Sequence, residues 1–200
     1  MKQWAIGFLV LLAASAHAQD SAWRWYGAGG FSSGGDRITG GTITVTGTTR
    51  TIPFEIRPGT ATPLRLGAEY RFTNKLALRA SAGRAVSDPT GANGSLTFTT
   101  TSGELLGLYR VAGGLRFGLG VRQSYADLKG TGISAGDWRF TATPGVVLEA
   151  QYLFSNNDGA FVSTGPEFGF ALRLVSEKFQ DPFDKTYSGD HFEVGMLINF

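Results

Sequence analysis

No cysteine stands anywhere in this 200-residue chain. Disulfides, thiolate nucleophiles and cysteine metal ligands are therefore excluded, whatever compartment the protein occupies. Histidine is nearly as scarce, with His17 and His191 as the two copies, so a site built on several imidazoles has no material. Charge is sparse as well: Asp, Glu, Lys and Arg make up 17% of residues, and the net charge is +2. There is no basic run to neutralise a phosphate backbone, which argues against a nucleic-acid partner. Beyond the N-terminus no apolar run approaches the ~20 residues that a membrane-spanning helix needs.

The N-terminus itself is different. Lys2 gives a positive start, Trp4 to Ala14 form an apolar segment, and Ala16-His17-Ala18 has the small-x-small form of a cleavage site. Residues 1–18 are thus expected to be a cleaved signal peptide, leaving residues 19–200 as one domain. Export normally permits disulfides, and a chain without them needs another source of stability. A closed, hydrogen-bonded sheet is one.

After residue 22 the apolar residues recur with a period of two, the signature of strands. Phe192, Val194, Met196, Ile198 and Phe200 share one face, with Glu193, Gly195, Leu197 and Asn199 on the other. Val146 to Phe154 alternate in the same way, and the pattern extends back through Trp138, Phe140 and Ala142, so this strand is expected to be long. Similar stripes run through Leu64 to Phe72, Leu115 to Arg122 and Val162 to Leu174. Weaker ones cover Trp23 to Phe31, Leu76 to Ala82 and Gly103 to Val111.

Eight strands result, and their connections alternate in length. Thr73-Asn74-Lys75, Ala112-Gly113-Gly114 and Ser155 to Gly159 are tight turns, whereas polar segments near 32–61, 86–101, 123–137 and 175–190 are long. Trp23, Trp25, Tyr70, Phe72, Tyr109, Tyr152, Phe154 and Phe200 gather at the short-turn end, as an aromatic girdle at a lipid–water boundary would. Asp is expected only in loops, turns and the N-terminal tail, while Glu falls on faces opposite the apolar stripes. The expected fold is all-β, an eight-stranded antiparallel up-and-down transmembrane β-barrel with apolar residues outward and charges inward. Inward glycines (Gly67, Gly83, Gly118, Gly120, Gly165, Gly169, Gly195) suit its narrow interior.

With the eight-strand pattern, the segment Tyr70-Arg71-Phe72-Thr73-Asn74-Lys75-Leu76 and the terminal Phe200, the chain resembles the small outer-membrane barrel families, the OmpA-like and OmpX-like membrane domains. The resemblance covers residues 23–200. It implies the outer membrane of a Gram-negative bacterium, with lipid and lipopolysaccharide as surroundings. It also implies that the last strand, through Phe192, Val194, Met196, Ile198 and Phe200, is the signal taken up by the barrel-assembly machinery. Function does not follow from such a fold.

The expected lumen set is Arg24, Arg65, Glu69, Arg71, Arg79, Glu104, Arg110, Arg116, Arg122, Glu149, Glu167, Arg173 and Glu193. Enclosed charges of this kind must pair, giving either a polar plug or a gate whose partners exchange. Leu106, Leu108, Val147 and Leu153 also point inward, either lining a small apolar pocket like that of OmpW-like barrels or filling space between arginine stems. Arg84 falls on the outward face, placed to snorkel towards lipopolysaccharide phosphates or to mark a bulge. Ser188, Asp190 and His191 cluster near the last loop, where turn chemistry is the simpler account. Thr42 to Thr46 and Leu96 to Thr100 resemble exposed ribbons with edges available to an extracellular ligand. The reading is a non-enzymatic structural or surface-interaction barrel without a cofactor or metal. The alternatives are a narrow channel or small-ligand carrier and, further off, a lipid A-modifying enzyme.

Overall fold

Period-two sequence rich in Thr, Val and aromatics favours strands, and the computed structural model contains fourteen of them and no helix among the described residues. Those residues are 22–44, 47–91, 94–132, 136–154 and 165–200. The expected signal peptide (1–18), the turn Ser155 to Gly159, Val162, and Val45 and Thr46 of the first ribbon lie outside them.

β1 (Trp23–Gly34) leads into a hairpin of β2 (Thr39–Thr44) and β3 (Thr51–Ile56), followed by β4 (Thr62–Arg71) and β5 (Leu76–Ser87). The short β6 (Thr90–Gly91) precedes the two longest strands, β7 (Gly94–Ala112) and β8 (Leu115–Gly132). β9 (Gly136–Ala142), β10 (Gly145–Phe154) and β11 (Glu167–Ser176) come next, then β12 (Lys178–Gln180), β13 (Thr186–Ser188) and β14 (His191–Asn199). Eight of these close a ring in the order β1-β4-β5-β7-β8-β10-β11-β14, every neighbour antiparallel, with β14 returning to β1. Closure leaves no ladder unpaired around the ring, as hydrocarbon surroundings demand.

Short turns gather at one end. Phe72 N–H donates to the Leu76 carbonyl (3.0 Å) to close the β4–β5 turn, and the Thr73 hydroxyl accepts from Leu76 N–H (3.0 Å). Gly113 takes a φ of 52° to connect β7 to β8, a conformation that glycine adopts at little cost. The opposite end carries the long connections, the extracellular side in barrels of this kind.

The inside-out distribution is plain in the exposures. Leu66, Leu119, Phe168 and Met196 are each more than half exposed, whereas Glu69, Arg79 and Arg116 are fully enclosed. A monomer in water does not carry a continuous ring of exposed Leu, Phe and Val of this extent. The barrel spans a membrane.

β7 and β8 show where the membrane stops. Both keep one inward parity along their whole length, but the chemistry of the two faces changes over. Inward on β7 lie Arg110, Leu108, Leu106 and Glu104, then Ser102 and Thr100, and finally Phe98 and Leu96. Outward, Val111, Tyr109 and Leu105 give way to Thr101, Thr99 and Thr97. Within lipid the charges go inside; above it water is outside, and apolar residues go inside instead. The result is a capping core above the ring, made of Ile56, Leu96, Phe98, Ala126, Leu128, Phe140, Ala142, Phe179 and Tyr187, with Ile38 and Phe54 packed against it. Phe98 meets Phe140 and Phe179 edge-on at centroid distances of 5.8 and 6.4 Å, a favoured aromatic geometry.

Several expectations are corrected here. Segments 86–101 and 123–137 are largely strand, because β7 and β8 rise out of the membrane paired to each other from Gly94↔Gly132 downward. Leu96 to Thr100 is consequently no free edge: its inward residues are buried in the cap. The stretch from Trp138 to Phe154 is not one strand. The chain breaks at Thr143-Pro144, where proline cannot extend a ladder, and the phase reverses, so that Phe140 and Ala142 face the cap while Val146 faces lipid. Asp127 and Asp137 sit in strands β8 and β9, above the lipid-facing belt. Phe200 is 4% exposed and does not join the lipid-facing girdle. Its residue follows the end of β14, held against Trp25 by two backbone hydrogen bonds (2.8 and 3.0 Å), and its ring is covered by protein.

The cap core is expected to hold the extracellular end together independently of the membrane ring. Phe140→Ala should cost about 3–5 kcal/mol locally, exposing β9 and β12 to protease while the heat-dependent gel shift of the folded barrel remains. Unchanged protease resistance would contradict this account of the cap.

Candidate functional site

The strand registers place the lumen residues in line. Glu149 on β10 lies directly opposite Arg173 on β11, and Arg173 lies opposite Glu193 on β14. Glu104 on β7 lies opposite Arg122 on β8, and Glu69 on β4 opposite Arg79 on β5. Since side chains alternate along a strand, all of these point into an interior that eight strands leave only wide enough for side chains.

Arg173 is the hub. Its Nη2 is 2.6 Å from Glu104, its Nε 2.8 Å from Glu149 and its Nη1 2.8 Å from Glu193. Glu149 also accepts from Arg79 (2.6 Å), whose guanidinium lies 3.9 Å from the centre of the Tyr26 ring. Glu193 receives Arg65 at 2.6 Å and Arg122 at 3.4 Å, and Arg122 reaches Glu104 at 3.2 Å. Towards the cap, Arg122 donates to Ser124 (2.9 Å), and Ser124 donates to Glu177 (2.6 Å). Glu177 belongs to a segment whose sequence gives it no strand pattern, yet it is buried inside.

A second group occupies the short-turn end. Arg116 is 2.8 Å from Glu69, and Arg71 joins Glu69 (3.5 Å) to Glu167 (2.9 Å). Arg110 approaches Glu167 at 3.5 Å, and Arg24 donates to the Gly165 carbonyl at 2.8 Å. Gln151 links the two groups: its carbonyl oxygen accepts from Arg116 Nε (2.9 Å), while its amide donates to Glu149. Every charged residue of the expected lumen set is thus inside and in contact with another polar group. Gln151, Ser124, Glu177 and Tyr26 belong to the network as well; inward parity could have pointed to Gln151 and Tyr26, whereas Ser124 and Glu177 lie in segments expected to be loops.

The inward leucines do not come together in one group. Leu106 packs with Val147 and Val175, Leu108 with Ala77, and Leu153 with Tyr26, Ala171 and Leu197. These small separate clusters fill the gaps between arginine stems. The Ser188, Asp190 and His191 cluster does not form a relay either. His191 faces the Gly189 carbonyl (2.6 Å) and Glu193 (3.1 Å), while Asp190 accepts from Ser176 and from Glu177 N–H. Among the described residues there is no grouping of His, Asp and Glu fit to hold a metal ion.

Outside, the cap presents polar strands with one exposed aromatic pair. Trp138 and Phe183 meet edge-on at 5.7 Å on its rim, 44% and 74% exposed. Just after β3, Arg57 donates to Glu55 at 2.8 Å and holds that carboxyl below the usual carboxylate range.

No family model and no curated protein matches the chain. Solved structures do. Neisserial surface protein A aligns over 90% of this chain and 96% of its own, with a TM-score of 0.54 and 9% identity. The attachment invasion locus protein Ail of Yersinia pestis aligns over 90% of this chain and all of its own, with a TM-score of 0.50 and 10% identity. At such identities the likeness concerns the fold: this chain is a small eight-stranded barrel of the outer-membrane type. That fold and the lipid-facing belt place it in the outer membrane of a Gram-negative bacterium.

Removing one partner from the hub strands buried charge, which costs about 3–5 kcal/mol. Glu149→Ala, which deprives Arg79 and Arg173 together, is expected to lower the urea midpoint of unfolding followed by gel shift. A midpoint equal to that of the unmodified protein would show that these contacts contribute nothing.

Proposed function

We propose that the protein is a non-enzymatic surface barrel whose lumen is a closed structural core and whose interactions are made by the extracellular cap. The observation that carries this reading is the stacking of two different fillings in one tube. A connected Arg–Glu network occupies the membrane level, and the aromatic core of Phe98, Phe140 and Phe179 lies directly above it. An ion crossing the barrel would have to part several charge pairs and then an apolar plug. The sheet that rises above the membrane displays Trp138 and Phe183 to the exterior, and exposed aromatics of this kind are frequent anchors of protein interfaces. The names of the similar structures, a surface protein and an attachment protein, fit a surface role for this chain. The orientation of Ser188, Asp190 and His191 supports a non-enzymatic reading.

Reconstitution of residues 19–200 in a planar bilayer tests this. Bilayers should stay silent while the heat-dependent gel shift demonstrates folded protein. Discrete unitary steps from folded protein would overturn the closed-lumen reading and favour a narrow channel or small-ligand carrier.

A further inference from the structure

The lipid-facing wall is not uniform, and its irregularity has a chemical sense. Around Gly107 on β7 the outer surface sinks into an apolar groove of about 790 Å³, walled by Leu78, Tyr109, Phe117, Leu119, Leu148 and Leu174. The glycine is not required by the backbone there. A Cβ on Gly107 would meet only the Leu119 carbonyl at 3.8 Å, and one on Gly103 would meet nothing within 4 Å. This contrasts with Gly67 and Gly120, where a Cβ would run into the backbone of the neighbouring strand. The space at Gly103 and Gly107 is left empty by the protein itself.

The groove also borders Phe72 and Leu76 on the short-turn side, and from it β5 and β7 run on towards the cell exterior. Successive outward pairs on β5 and β7 are Leu78↔Gly107, Ala80↔Leu105, Ala82↔Gly103 and Arg84↔Thr101. Apart from Leu105 the residues between groove and Arg84 are small. Arg84 is the one charged side chain on the outward face of the spanning belt among the described residues, and it forms no ion pair with any of them. It sits level with Thr101, where the outward face of β7 turns from apolar to polar. From Arg84 to Leu78 is six residues, roughly 20 Å of strand, enough to reach from the outer boundary of an about 25 Å apolar band to its middle.

We propose that this face binds one lipid A molecule of the outer leaflet, with Arg84 on a phosphate and an acyl chain lying over Ala82, Gly103 and Gly107. The occupant follows from the pairing of a cation at the headgroup level with a row of mostly small outward residues that leads down to the apolar groove. Arginine suits a phosphate because its fork can engage two oxygens. This inference rests on the barrel spanning the membrane and is independent of whether the lumen is closed.

The test is native mass spectrometry of residues 19–200 released from phosphatidylcholine nanodiscs doped with bis-phosphorylated lipid A, dephosphorylated lipid A or phosphatidylglycerol. Bis-phosphorylated lipid A should be retained in preference to the other two. Arg84→Gln should cut its retention about tenfold, the loss of one charge-assisted contact, and so abolish the preference over the dephosphorylated form. Gly107→Leu should fill the groove and lower retention of both lipid A forms. Gly103→Leu serves the same purpose should Gly107→Leu fail to fold by gel shift. Equal retention of phosphatidylglycerol, or variants that hold lipid A like the unmodified protein, would overturn the proposal.

Discussion

Arg173 meets three glutamates at once, and the geometry of the whole interior follows from the need for such arrangements. A guanidinium enclosed by an eight-stranded ring in hydrocarbon has no bulk water to turn to. Leaving it alone costs several kcal/mol, so partners must be supplied by neighbouring strands at matching depth. The β10–β11–β14 register supplies Glu149 and Glu193 directly, and β7 supplies Glu104 from elsewhere on the wall. A slip of one residue in any of these strands would turn its charges into lipid and its leucines into the network. The ion pairs are therefore tied to register as well as to stability, because a slip by an odd number of residues puts them on the wrong face.

The same constraint relaxes above the membrane. Once water replaces lipid outside, an apolar interior is again favourable, and β7 and β8 switch chemistry without switching parity. Burying side chains such as Phe98, Phe140 and Phe179 is worth about 1.5–3 kcal/mol each. The cap thereby gains the stability that disulfides, absent from this cysteine-free chain, give many exported domains. Its rim carries the exposed aromatics Trp138 and Phe183.

Much of this was legible in the sequence. The period of two, the tight turns at Thr73–Lys75 and Gly113, and the inward parity of the Arg and Glu residues all appear in the order of residues alone. What was not legible has a common physical origin: the rule that apolar means outward holds only inside the bilayer. Leu96, Phe98 and Phe140 obey the opposite rule above it, so their segments look like loops or like continuations of the lipid stripe. Pro144 hides the phase reversal before β10. Phe200 looks like a girdle residue by parity but is covered, because its position beyond the end of β14 is set by backbone pairing to Trp25. The ion pairs that cross the barrel, such as Arg79 with Glu149, depend on closure and shear, which no single strand encodes. Gln151 has inward parity but no charge, and Glu177 lies in a segment without a strand pattern, so neither stood out.

The lumen charges stabilise the barrel by satisfying one another. A double-substitution cycle on Arg79 and Glu149 tests this most directly, with unfolding midpoints measured for Arg79→Met, Glu149→Leu and the pair together. Each single change is expected to be strongly destabilising and the double to recover much of the loss, since both charges then leave the interior. Losses that simply add would show that the two residues act independently, and would contradict a lumen organised by pairing.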